Sequence, residues 1–181
     1  MTEITIELQD RVLMLGEGGG GKTYAARAFL KRFSKSKVLI ITPNAEEFTD
    51  YKNRVVTFET EEACEAIGEA LEKGNVMIVI DDSDVILDKI MTDRRFKVLA
   101  NSGRHYGCGW TVMSRRTADI PTILAKQAKK LFLFQTDLPR DVQFLNEFYY
   151  PAGDEVKDLD RDSHEFLYID RDAKTRTRMT A

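Results

Sequence analysis

Gly16, Glu17, Gly18, Gly19, Gly20, Gly21, Lys22 and Thr23 fit G-x-x-x-x-G-K-[ST] at every fixed position. The residue types match the demands of a polyphosphate. Concentrated negative charge needs several backbone N–H groups at close range, and glycines let the main chain approach without a Cβ in the way. A helix starting near Lys22 would add the positive end of its dipole. Lys22 would reach the β- and γ-phosphates, and the Thr23 hydroxyl would ligate Mg²⁺. The expected nucleotide-binding set is therefore Glu17, Gly18, Gly19, Gly20, Gly21, Lys22, Thr23 and Tyr24, with ATP and Mg²⁺ as ligands.

A second cluster lies sixty residues on. Val76-Met77-Ile78-Val79-Ile80 is an apolar run ending in Asp81-Asp82. A buried strand of this kind delivers carboxylates to the edge of a parallel sheet, where ligands collect. Asp81 would hold Mg²⁺. Asp82 stands where many ATPases with such a glycine loop carry a glutamate that polarises the attacking water, and it would act as general base with a side chain one methylene shorter.

These residues need elements to hold them. Arg11–Leu15 reads as the strand before the glycine loop, and Tyr24–Leu30 as the helix after it. Lys37–Thr42, Val55–Phe58, Trp110–Ser114, Leu131–Phe134 and Glu165–Asp170 read as further strands. Helices are expected at Glu61–Lys73, Asp84–Asn101, Pro121–Lys130 and Pro139–Phe148. The alternation in Thr2–Leu8 predicts a half-buried N-terminal edge strand within residues 1–10. Asp154–Asp162 reads as an acidic loop, and residues 171–181 as a flexible basic tail. One domain is expected over residues 1–181.

Composition sets the outer limits. A chain of 181 residues with 43% hydrophobic content can bury a full α/β core. No apolar run approaches the roughly 18 residues that a membrane span needs, and no leader is visible at the N-terminus. Cys64 and Cys108 lie far apart and read as buried free thiols, so a cytoplasmic location is expected. The net charge of −3 is unevenly spread: Lys89–Lys130 carries ten lysines and arginines against two aspartates, a net +8, leaving −11 elsewhere. Such a segment is a candidate polyanion footprint.

The order of elements resembles the additional-strand, RecA-like P-loop NTPases: a three-layer α/β fold with a mostly parallel sheet and antiparallel edge strands. Gly103-Arg104, Gly107 and Ser114-Arg115-Arg116-Thr117-Ala118-Asp119-Ile120-Pro121 resemble the FtsK/HerA superfamily more specifically, and the compact length resembles its small viral genome-packaging ATPases. The resemblance covers Arg11 to about Phe148. It implies an ATPase acting in a ring, a hexamer by analogy, that moves double-stranded DNA, works in the host cytoplasm if viral, and meets virion or portal proteins. It carries Lys22, Thr23, Asp81 and Asp82 over as the site. The family's sensor glutamine falls on Arg115, a guanidinium that cannot accept a hydrogen bond. An arginine completing a neighbouring site would be Arg104, followed by Arg95 and Arg116. Two other readings stay open: a nucleotide-switched assembly or adaptor protein with little turnover, and a small P-loop kinase.

Overall fold

Strand β1 (Arg11–Leu15) shows why the sheet must be covered on both sides. Leu13 and Leu15 face one apolar cluster, Val12 and Met14 the other, and all four are buried. A run without polar alternation is stable only between two layers. The computed structural model describes residues 4–56 and 59–181. It supplies α1 (Lys22–Leu30) on one face, and α2 (Thr60–Lys73), α3 (Leu87–Ile90), α4 (Arg94–Ser102) and α5 (Thr122–Gln127) on the other. Two more helices, α6 (Pro139–Tyr149) and α7 (Ala152–Lys157), add Leu145, Tyr149 and Val156 to that second cluster.

The remaining strands are β2 (Val38–Ile41), β3 (Val55–Val56), β4 (Met77–Ile80), β5 (Gly109–Ser114), β6 (Lys130–Phe134), β7 (Glu165–Asp170) and β8 (Thr175–Thr180). Among the described residues, eight strands form one sheet in the order β3-β2-β4-β5-β1-β6-β7-β8. The first six are parallel; β7 and β8 add antiparallel at the same edge. β5 therefore separates β1 from β4, as the additional-strand layout requires. Leu15 pairs with Ser114 and Ile80 with Val112. That register brings the glycine loop, Asp81-Asp82 and Arg115 out at one edge of the sheet.

Several sequence expectations are corrected. Of the strand expected at Thr2–Leu8, residues 2 and 3 lie outside the described residues, and residues 4–8 make no strand: Ile6 is buried, with Ile4 and Leu8 packed on the same cluster, but the segment joins no ladder. The alternation reported a buried face; both sheet edges are already taken by β3 and β8. The basic tail is ordered as β8, along the whole length of β7. The expected long helix from Asp84 is broken into a short turn at Ser83–Val85, α3 and α4. Asp93 interrupts it, accepting from the Arg95 backbone N–H at 2.7 Å as the N-cap of α4. Part of the expected acidic loop is α7. Of the strand expected at Val55–Phe58, the last two residues lie outside the described residues.

Candidate nucleotide-binding site

The glycine loop leaves β1 under tight steric control. Gly16 has φ 137°, and a Cβ there would lie 2.8 Å from the Phe134 Cβ and 2.9 Å from the Phe134 carbonyl oxygen on β6. Only glycine meets both constraints. Its N–H donates to the Ser114 carbonyl at 3.3 Å, tying the loop to β5 as well. Gly21, with φ 95°, turns the chain into α1, whose first residue is Lys22.

Lys22 is folded back on its own loop. Nζ donates to the carbonyls of Gly16 and Glu17, each at 2.7 Å, and the residue is 8% exposed. Burial lowers its pKa to about 8, against the opposing pull of Asp82, Asp84 and Asp81. A buried ammonium satisfied by two carbonyls can exchange them for phosphate oxygens. Thr23 and Tyr24 follow on the same cleft, Thr23 half-buried and Tyr24 68% exposed.

Asp81 is buried at the end of β4. Its Oδ2 accepts from Thr42 Oγ1 at 3.1 Å, and its Oδ1 from the Asp82 N–H at 2.9 Å. Desolvation, reinforced by the neighbouring Asp82 charge, raises its pKa to about 6. Asp82 adopts a left-handed backbone, φ 43°, which turns its carboxylate from the strand toward β5. There Arg115 Nε meets Asp82 Oδ1 at 3.3 Å and Asp84 Oδ2 at 3.6 Å. Asp84 also bonds the Ser114 hydroxyl and accepts the Arg115 backbone N–H at 3.2 Å.

Gly18, Gly19, Gly21, Lys22, Thr23, Tyr24, Asn44, Glu47, Asp81, Asp82 and Arg115 together line a cleft of about 400 Å³. The donor set suits Mg²⁺, a hard cation that takes oxygen ligands and usually binds through one or two carboxylates plus phosphates. Asp81 and Thr23 provide one carboxylate and one hydroxyl. Among the described residues, no group of three or more His, Cys, Asp or Glu could hold a metal alone. A cation here would therefore be completed by phosphate oxygens and water.

The structure separates the candidate arginines. Arg115 lies in the cleft. Arg116 is exposed beside it, its backbone N–H bonded to Ser114 Oγ at 3.1 Å. The following turn is pinned by buried Asp141, which accepts the Ala118 N–H at 2.8 Å. Arg104 lies in the turn before β5, at the opposite edge of the sheet from the glycine loop, and is exposed. Arg95 is held by Asp93 at 2.8 Å and Glu61 at 3.0 Å.

Sequence reasoning missed five members. Thr42 and Asp84 hold the acids and Arg115, while Asn44 and Glu47 line the cleft. Arg161, before β7, bonds the Gly18 carbonyl and pairs with Glu17 at 3.3 Å. Only Thr42 and Asn44 carried a signal, as polar residues just past the end of β2.

A glycine loop on β1, a tandem acid on β4 and one strand between them decide the architecture. The fold is that of a P-loop NTPase. No family model matches the chain, and no curated protein matches it. Solved structures do. The genome-packaging NTPase B204 of Sulfolobus turreted icosahedral virus 2, in complex with AMPPCP, superposes with a TM-score of 0.79 at 21% identity, covering 97% of this chain and 99% of that one. The cytoplasmic domain of the type VII secretion ATPase EccC from Thermomonospora curvata gives 0.63 at 11% identity, with 96% of this chain on 24% of that one. The N-terminal domain of zonular occludens toxin from Neisseria meningitidis gives 0.54 at 11% identity, with coverage of 96% and 94%. The B204 match runs nearly end to end on both chains, which agrees with the compact P-loop layout read from the sequence. No helix among the described residues is long and apolar enough to cross a membrane.

Proposed function

We propose that the chain is an ATP-hydrolysing subunit of a ring that translocates double-stranded DNA, for the packaging of a viral genome in the host cytoplasm. The observation that carries this reading is the convergence of Lys22, Thr23, Asp81, Asp82 and Arg115 on one cleft, in a fold that matches a packaging NTPase over 97% of the chain. In this reading Lys22 leaves the Gly16 and Glu17 carbonyls for the β- and γ-phosphates. Thr23 and Asp81 would hold Mg²⁺, which would neutralise phosphate charge. Asp82, freed from Arg115, orients water and takes its proton as the water oxygen attacks the γ-phosphorus, while the bond from that phosphorus to the β–γ bridging oxygen breaks and ADP leaves. Arg115 then faces the γ-phosphate, and a neighbouring copy adds Arg104 or Arg116. A hexamer and contacts with virion or portal proteins belong to the same reading.

The Arg115–Asp82 pair also favours a second reading, a nucleotide-switched assembly protein, because a base held by a guanidinium turns over slowly. Steady-state ATP hydrolysis with and without long duplex DNA separates the two, with Lys22→Ala as control and light-scattering mass measured in ATP. DNA-stimulated turnover at a ring-sized mass, lost in the control, is the expected result. Tight ATP binding by a monomer without any DNA effect would overturn the motor.

A further inference from the structure

The face of α4 that turns away from α2 has no use in the site just described. Phe96, Leu99 and Ala100 seat the helix on the core. At about 100° per residue, Arg95 points toward α2, where it meets Glu61, and its Cδ would touch a Cβ at Gly68. Arg94, Lys97 and Asn101 then fall on the opposite flank, and all three are exposed. The turn after α4 continues the line with exposed Arg104 and His105. Among the described residues, Arg94, Lys97 and Arg104 have no carboxylate at ion-pair distance, whereas Lys129, Lys130, Lys157 and Arg176 each have one. Arg104 is also close enough to Arg11 to depress its pKa, after burial the largest influence there, and Arg11 reaches across to Gln127 on α5.

We infer that this flank, Arg94, Lys97 and Asn101, is the surface that contacts the phosphate backbone of duplex DNA. The inference rests on the DNA-motor reading and adds where the duplex lies. Unpaired cations on one rigid helix face suit a polyanion, because each displaces condensed counterions and no partner charge must first be released. Arg94 to Asn101 spans about 10 Å of helix, and a duplex presents one charge per about 1.7 Å, so several phosphates fall within reach. The acidic outer face of α2, with Glu65, Glu69 and Glu72, lies on the other side of Arg95 and confines the duplex to the α5 side. The surface is also tied to the cleft: the stretch joining Asp82 to α4 contains Asp84, which holds Arg115 and Ser114.

The test is binding of a fluorescent 40-bp duplex by the full chain across a salt series. It compares wild type, Arg94→Ala/Lys97→Ala, and Lys35→Ala/Lys37→Ala as a charge-matched control in the exposed turn before β2. Losing two phosphate contacts lowers the slope of log K against log salt by about 1.8. That is a roughly tenfold smaller change in affinity between 50 and 200 mM salt, with basal ATP turnover unchanged. The control retains the wild-type slope. Wild-type binding that the Arg94/Lys97 variant reproduces, slope included, would overturn the assignment and leave the DNA reading standing. A wild type that binds no duplex even at low salt would remove both.

Discussion

At the scale of single residues, the cleft stores charge in groups that burial disfavours. Asp81 is the clearest case, with its pKa raised to about 6. The folded protein holds this proton more tightly than the unfolded chain does. The group costs nothing below pH 4, its cost develops between about pH 4 and 6, and it is complete above pH 6. Two pKa units correspond to about 2–3 kcal/mol. Asp81→Asn keeps an acceptor for Thr42 and removes the charge. It should raise the melting temperature of the nucleotide-free protein at pH 7.5 by roughly 5 °C, a gain that vanishes near pH 4, while abolishing Mg²⁺-dependent hydrolysis. A variant that melts below wild type at pH 7.5 would mean that the acceptor lost to the Asp82 N–H outweighs relief of the buried charge. Arg115 carries the opposite charge at the same edge. If it faces the γ-phosphate during turnover, Arg115→Ala should lower kcat by about 10²–10³ with little change in nucleotide affinity. A faster variant would show that its grip on Asp82 is inhibitory and would favour the switch reading.

At the scale of elements, the site is positioned by how the strands end, and the N-terminal segment sets where one of them begins. A Cβ at Gly109 would collide with the Asp10 carbonyl and come within 2.5 Å of the Leu8 carbonyl, both backbone groups that cannot rotate away. The Trp110 N–H is meanwhile bonded to the Asp10 carbonyl at 3.0 Å. Gly109→Ala should therefore cost about 3 kcal/mol, read as a lower denaturation midpoint with an unchanged slope; a loss under 1 kcal/mol would mean residues 8–10 are loosely held. The same segment shows what a sequence discloses. Alternation in Ile4, Ile6 and Leu8 reported which side chains are buried, and could not report that no strand edge was free for them. β8 is the converse. Thr177, Met179 and Ala181 are half-buried between exposed Arg176, Arg178 and Thr180, a period of two that is present in the chain but masked by its polarity. The glycine loop and the Asp81-Asp82 pair were legible because their parts are contiguous. Asp84, Glu47 and Arg161 were not, since only strand register and loop closure bring them to the cleft.

At the scale of the whole molecule, the question is whether one copy is a complete enzyme. Within a single chain the cleft already holds Lys22, Asp81, Asp82 and Arg115, while Arg104 stands at the far edge of the sheet, where only another molecule can use it. If copies act independently, adding Lys22→Ala subunits at constant total protein should reduce DNA-stimulated hydrolysis in proportion to their fraction. If each cleft is completed by its neighbour and the ring steps in concert, one inactive copy silences more than itself. For six coupled copies with a quarter inactive, all-active rings fall to about a fifth of the population by random mixing, against the three quarters expected of independent sites. Turnover well below the proportional line is the expected result. A strictly proportional decline, with subunit exchange verified by mass, would reduce the motor to independent ATPases that share a scaffold, and would leave Arg104 with no part in the chemistry.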